Sequence, residues 1–372
     1  MPFTPLDLAA PAVRTLAPYV PGKPISELER EYGIRDSIKL ASNENPLGPG
    51  PRARAAMAAA VSEIGLYPDG NGFELKQALA QRYGCSLDNI TLGNGSNDLL
   101  VILCETFLTL GTEAVCSKYA FAIFPIAAHA TGAAVKVAAA LPGDHPMALG
   151  HDLDAMAALV NERTRLVYVA NPNNPTGSWV SGAALHRFLS KLPASAVVIV
   201  DEAYIEYVRD DAFPDTPNWV KEFPNLVVTR TFSKAHGLAG LRVGYALSHP
   251  GIAGLLNRVR APFNVNSMAL SAACAALEDA DHLERSVSLN LEGMAQVAAG
   301  LERLKVRHFP SRGNFVLVDC ARPGGEVYEA MLRQGVIVRP LGGYQLPTHL
   351  RITIGSQAQN QRMLDALQRA LA

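Results

Sequence analysis

The sequence predicts an α/β protein: a large domain with a mostly parallel central sheet and helices on both faces, followed by a smaller C-terminal α/β domain. Three observations predict it. The chain has 372 residues, room for about two domains of ordinary size. Short apolar runs alternate with helix-length segments, the pattern of βαβ units whose parallel strands are buried on both faces. Around Ala261–Ser267 that pattern changes. Hydrophobic residues make up 49% of the chain and charged residues 18%, so it can bury a sizeable core and is not of the disordered class.

The elements follow in order. A proline-punctuated start (Pro2, Pro5, Pro11, Pro18, Pro21, Pro24) leads to the polar turn Ala41-Ser42-Asn43-Glu44-Asn45-Pro46, which opens the main body. Arg52–Ile64 and Glu74–Tyr83 read as helices on either side of a turn at Leu66–Gly72. Ile90–Leu92 reads as a strand and Asp98–Leu108 as a helix. Leu166–Ala170, Ala196–Val200, Leu226–Thr229 and Val243–Leu247 are expected to be further strands. Met268–Leu304 reads as one long helix. Beyond it, strands at Phe315–Val318, Val336–Val338 and Leu350–Ile354 are interleaved with helices at Glu326–Gln334 and Gln357–Leu371. The expected division is an N-terminal arm over 1–41 packed on the small domain or on a partner subunit, a large domain over 42–268, and a small domain over 269–372.

Composition excludes several function classes. Lys+Arg 33 against Asp+Glu 34 gives a net charge of -1, without the basic footprint of a nucleic-acid binder. Five scattered cysteines form no C-x-x-C pair, so neither a disulfide framework nor a zinc knuckle is expected. The nine histidines show no metal-binding H-E-x-x-H spacing, and no catalytic metal is expected. Apolar runs are strand-sized, far short of the ~20 residues of a membrane span, and Met1-Pro2-Phe3-Thr4 shows no secretory leader. A cytoplasmic protein without nucleic-acid or membrane partners is expected.

Open α/β sheets bind ligands beyond the carboxyl ends of their strands, and four such ends carry polar residues. Leu166–Ala170 runs into Asn171-Pro172-Asn173-Asn174-Pro175-Thr176-Gly177, a rigid turn that offers Asn174 as a neutral donor. Ala196–Val200 delivers Asp201-Glu202-Ala203-Tyr204. Asp201 is either a buried carboxylate needing a partner or a helix N-cap. Leu226–Thr229 leads to Ser233-Lys234 and, eight residues after the lysine, Arg242. Lys234 is either a solvated loop lysine or, held in low dielectric, a nucleophilic amine suited to a Schiff base. Gly93-Asn94-Gly95-Ser96-Asn97, between a strand and a helix, suits an anion. It is not a dinucleotide fingerprint, because Asp98 stands where the third glycine belongs. Together these segments ask for a ligand with a phosphate, an aldehyde and a ring nitrogen that wants an acid partner. Pyridoxal 5′-phosphate has all three.

These segments, with Pro18–Pro24 (P-Y-V-P-G-K-P), Lys39–Gly48 (K-L-A-S-N-E-N-P-L-G), Tyr67–Gly70 (Y-P-D-G) and Leu350–Gly355 (L-R-I-T-I-G), resemble the fold-type I, aspartate-aminotransferase-like, pyridoxal-phosphate-dependent aminotransferases. Within them the sequence is most similar to the histidinol-phosphate aminotransferase subfamily, essentially end to end. The resemblance implies that Lys234 binds the cofactor aldehyde and shuttles the proton, while Asp201 pairs with the ring nitrogen. Asn174 and Tyr204 would hydrogen-bond the 3′-oxygen, and Tyr119 would stack on the ring. Ser96, Asn97, Ser233 and Arg242 would hold the phosphate, joined by Tyr67 from the neighbouring subunit of a homodimer. Arg351 would take the anionic end of the substrate, Tyr19 and Arg339 its phosphate end, and Asn43 the entrance. The implied activity is transamination between L-histidinol phosphate and 2-oxoglutarate, giving imidazole-acetol phosphate and glutamate, in histidine biosynthesis. An aromatic amino-acid aminotransferase and a phosphothreonine-type decarboxylase are the alternatives on the same scaffold.

Overall fold

The computed structural model describes residues 5–372; Met1–Thr4, on which the reading of a missing leader rests, lie outside the described residues. The strands in chain order are β1 (Ile38–Lys39), β2 (Ile90–Gly93), β3 (Glu113–Ser117), β4 (Ala134–Ala138), β5 (Thr164–Ala170), β6 (Val197–Asp201), β7 (Leu226–Thr231), β8 (Gly244–Ser248), β9 (Arg307–Phe309), β10 (Phe315–Asp319), β11 (Val336–Ile337), β12 (Arg339–Pro340) and β13 (His349–Thr353). Seven of them form one sheet in the order β2-β8-β7-β6-β5-β3-β4. The pairs from β7 to β4 are parallel. Only β8 runs against both neighbours.

That exception has a local cause. Between β7 and β8 the chain forms no crossover helix, only a short 3-10 turn at Ala239–Leu241, and a parallel return needs a crossover, usually a helix. Val243–Leu247, expected among the parallel strands, therefore returns antiparallel. Its amino end lies at the edge where its neighbours have their carboxyl ends, which brings Arg242 to the same edge as Asp201 and Lys234.

Alternation along the central strands divides the core between the two faces. Val167, Val169, Val198, Val200 and Val228 pack on one side. Leu166, Tyr168, Val197, Ile199 and Val227 pack on the other. β3 and β4 have no counterpart in the sequence reading. β4 is an edge strand only partly buried, and β3 opens on Glu113, whose carboxylate is buried against Lys136 and Arg163 at 2.7 and 2.6 Å. Charges inside such short segments break the apolar pattern by which strands are recognised.

The long helix expected over Met268–Leu304 is two helices, Ser267–Leu277 and Ala280–Arg303. At Asp279 the backbone leaves helical geometry (φ -96, ψ 64), and its carboxylate accepts from the His282 N–H. The first helix packs Ala269, Ala272, Ala273 and Ala276 into the large sheet's core. The second packs Val297 and Leu301 with the four-stranded antiparallel sheet β12-β13-β10-β9. The chain therefore passes from the core of the large sheet to that of the four-stranded sheet near Asp279. The N-terminal segment joins the C-terminal layer: β1 pairs in parallel with β11, and Leu28 is buried with Leu332 and Ile337. No helix among the described residues is long and apolar enough to cross a membrane.

Candidate active site

The carboxyl edge of the large sheet, the turn at 41–43 and the strand β13 enclose one cleft. Twelve of the fourteen residues singled out in the sequence line it: Tyr19, Asn43, Ser96, Asn97, Asn174, Asp201, Tyr204, Ser233, Lys234, Arg242, Arg339 and Arg351. Of the lining residues, four are cations (Lys234, Arg242, Arg339, Arg351) and one, Asp201, is an acid. In a chain of net charge -1, that local imbalance marks a site for anions.

Each side chain is placed by the element that carries it. Asp201 is the last residue of β6 and is buried. It caps no helix; its carboxylate accepts from the hydroxyls of Tyr168 (2.9 Å) and Thr229 (3.0 Å). Burial pushes its pKa up to about 6, against the pull of those hydroxyls. Lys234 follows β7, and its Nζ donates to the Ser42 carbonyl at 3.0 Å. Desolvation, with Arg351 nearby, brings the lysine down to about 7, so near neutrality a good part of it is a free amine. It is not a solvated loop lysine.

Arg242 has a left-handed backbone (φ 58) and sends Nη1 to Ser233 Oγ at 3.3 Å. Beside it the helix Ser96–Phe107 begins after Gly95, itself at φ 81. A Cβ on Gly95 would lie 2.4 Å from Arg242 Nη2, and one on Gly244 would lie 2.7 Å from the Ser96 nitrogen. Only glycines let a helix N-terminus, a hydroxyl and a guanidinium converge this closely, and the result is a cluster of donors that suits an anion.

Arg351, on β13, is buried, 8% exposed. Its Nη1 donates to Asn174 Oδ1 at 2.6 Å and its Nη2 to the Ala41 carbonyl, while Nε has no partner. Arg339 lies directly opposite in the register and donates to the Val20 carbonyl at 2.7 Å, with its guanidinium over the Tyr19 ring. Asn43, in a left-handed conformation (φ 56), links the two sheets. Its Nδ2 donates to the Tyr204 hydroxyl at 2.8 Å, and its Oδ1 accepts from Thr353 at 3.0 Å. Burial raises Tyr204 to about 12, so its hydroxyl keeps its proton.

Two nominated residues lie elsewhere. Tyr119 is buried with Phe309, Leu317, Leu341 and Leu346; Phe121, two residues on, lines the cleft. Past β3 the chain turns, and Phe121 rather than Tyr119 faces the opening. Tyr67 is 83% exposed and stacks on Phe263 at 4.8 Å, outside the cleft. Sequence reasoning missed Tyr168, a polar tip inside an apolar strand, although the hydroxyl in an otherwise aliphatic run was a visible signal.

Residues 35–367 match the family model "Aminotransferase class I and II". The chain belongs to this aminotransferase family. A relative in Pseudomonas aeruginosa, histidinol-phosphate aminotransferase 2, is 54% identical over 369 residues, covering 99% of this chain and 98% of its own length. The crystal structure of histidinol-phosphate aminotransferase from Sinorhizobium meliloti, in complex with pyridoxal-5′-phosphate, superposes with a TM-score of 0.88 at 30% identity, covering 97% of this chain and 96% of that one. A Thermus thermophilus aspartate aminotransferase mutant shares the fold at 20% identity, with a TM-score of 0.83 over 97% of this chain and 99% of its own. The architecture is thus the type I aminotransferase fold.

Proposed function

We propose that this chain is a pyridoxal-phosphate-dependent transaminase that exchanges an amino group between L-histidinol phosphate and 2-oxoglutarate, giving imidazole-acetol phosphate and glutamate in histidine biosynthesis. The observation that carries the reading is the cleft itself, where a desolvated lysine stands between a phosphate cradle and a buried arginine with an unpartnered Nε. The Pseudomonas aeruginosa relative's name supports the phosphate-bearing donor over aromatic amino acids and over decarboxylation.

The residues present fit the cofactor. The cradle of Ser96, Asn97, Ser233 and Arg242 would take its phosphate, and Phe121 offers an aromatic wall for the ring. Asp201 would face the ring nitrogen, and Asn174 and Tyr204 the 3′-oxygen. When bound, pyridoxal 5′-phosphate supplies an aldehyde and an electron-withdrawing ring through which amino groups are exchanged. Lys234, a free amine near neutrality, would hold the cofactor and then carry the proton taken from the donor carbon that bears the nitrogen. Asp201 would stay ionised opposite it. Arg351 would grip the carboxylate of glutamate, with its Nε still available. Tyr19 and Arg339 would reach the donor's phosphate, and Asn43 would line the entrance.

The exposed Tyr67 sits beside Leu66 and Ile64, 73% and 60% exposed, an apolar patch that a second copy of the chain would cover. In that homodimer Tyr67 would reach its partner's phosphate cradle. We place the enzyme in the cytoplasm, and divide the chain into a large cofactor domain from residue 42 to the break near Asp279 and a small domain that includes the N-terminal arm. A spectrophotometric half-reaction with single donors tests the assignment. Histidinol phosphate is expected to exceed phenylalanine in kcat/KM by orders of magnitude; parity between them would overturn it.

A further inference from the structure

Both carboxylate oxygens of Asp201 are engaged by hydroxyls from the flanking strands: Tyr168 donates to Oδ2 at 2.9 Å and Thr229 to Oδ1 at 3.0 Å. The register brings them there. Asp201 pairs with Thr229 on one side and Ala170 on the other. Tyr168 lies two residues before Ala170, so its side chain leaves the same face, and a tyrosine is long enough to span the diagonal. Tyr168 is fully buried, and its ring stacks on Phe124 at 4.5 Å and 10°. A phenylalanine would fill that space as well, so packing alone gives no reason for a hydroxyl that is costly to bury without a partner.

We propose that Tyr168 is a positioning residue of the active site: its hydroxyl, backed by that of Thr229, keeps the Asp201 carboxylate ionised and fixed in one orientation at the cleft wall. The proposal rests on reading the cleft as a pyridoxal-phosphate site, where Asp201 serves the ring nitrogen only while it carries its charge. Burial favours the neutral acid, and so does Glu202 beside it, whose own charge is engaged by Arg230. The two hydroxyls oppose that drift first, and the Ala203 backbone N–H adds to them. Tyr204 and Tyr344 are the other titratable groups that bear on the pair. Burial holds both above the ordinary tyrosine range, so both stay neutral. Tyr168 itself is pushed well above that range by burial and by the Asp201 charge, so it remains a donor throughout.

The test is Tyr168→Phe, which keeps the ring on Phe124 and removes one oxygen. Equilibrium binding of pyridoxal 5′-phosphate to the apoenzyme, followed by fluorescence quenching across pH, is measured beside the pH profile of the half-reaction. The lower acid limb of both, which lies below that of Lys234 and belongs to Asp201, is expected to move up by about one pH unit, a tenfold gain in the proton affinity of Asp201. Thr229→Val, which removes the other hydroxyl, should move it in the same direction and serves if Tyr168→Phe fails to fold. Phe124→Leu, which loosens the packing under the ring, should lower the melting temperature and leave the limb in place. A limb unmoved by loss of the hydroxyl, or moved as far by Phe124→Leu, would overturn the proposal. Failure of the site reading itself is separately visible: borohydride reduction of the wild-type enzyme with pyridoxal 5′-phosphate would then leave no label on the peptide holding Lys234.

Discussion

Two arginines, Arg351 buried in the cleft lining and Arg230 largely buried outside it, are bonded differently. Arg230, on β7, sends Nε and Nη2 to Glu202 Oε2 at 2.9 and 2.7 Å and Nη1 to the Tyr83 hydroxyl at 2.8 Å. Glu202 uses its other oxygen to accept from Thr216 at 2.6 Å. Its partners hold the Arg230 proton more tightly than water would. Arg351 meets an amide oxygen and a carbonyl, and its Nε meets nothing. Burial weakens its hold on the proton. A buried cation whose charge is balanced inside the protein is part of the framework. One whose charge is not balanced is kept for a ligand that brings the missing anion.

The largest effect expected from breaking this contrast is on the framework side. Glu202→Gln would leave Arg230 buried without its counter-charge, and removing one partner of such a pair costs about 3–5 kcal/mol. Urea unfolding of the apoenzyme should show that loss. A change within experimental error would mean that water reaches Arg230 and that the pair is not structural.

On the ligand side the effect should fall on binding and leave the fold intact. Arg351→Lys keeps a positive charge but gives up the planar fork. With hydrogen bonds to charged groups worth about 1.5–3 kcal/mol, kcat/KM for glutamate should drop roughly 10- to 100-fold, mostly through KM. The melting temperature should stay the same or rise, since the guanidinium has no internal carboxylate to lose. An equal loss with all donors and acceptors, accompanied by unfolding, would place Arg351 in the framework with Arg230.

The same contrast governs what could be read from the sequence. Asp201, Lys234 and Arg242 were legible because each follows an apolar run, and polarity at a strand end is a local signal. Arg351 was legible only through its L-R-I-T-I-G setting. Nothing in a single chain distinguishes it from Arg230, because the distinction lies in which carboxylate arrives from another strand. Tyr168 was visible as a hydroxyl in an aliphatic run, but its partnership was not: Asp201 lies 33 residues away, and only the register of β5 and β6 joins them. The break at Asp279 was locally visible as an acid before a second helix, yet helix-forming residues on both sides masked it. The antiparallel β8 could have been inferred from a connection too short, and too broken by Gly237 and Gly240, to hold a crossover helix.

The smallest predicted effect sharpens the comparison most, because it concerns the one cation that must change its charge. Lys234 is lowered to about 7 by desolvation first and by Arg351 second. The lowered value means that the amine is protonated below about 7 and free above it, whereas an ordinary lysine stays protonated to about 10.4. Capture of an aldehyde requires the free amine. The rate at which the apoenzyme takes up pyridoxal 5′-phosphate should therefore rise about tenfold between about pH 6 and pH 8 and then level off. Arg351→Met removes a neighbouring positive charge, so the midpoint should move upward, toward the ordinary lysine value. A rate that climbs steadily to pH 10 in the wild type would mean that Lys234 is hydrated like a surface lysine. The cleft would then differ from the Arg230 framework in its counter-charges but not in its dielectric.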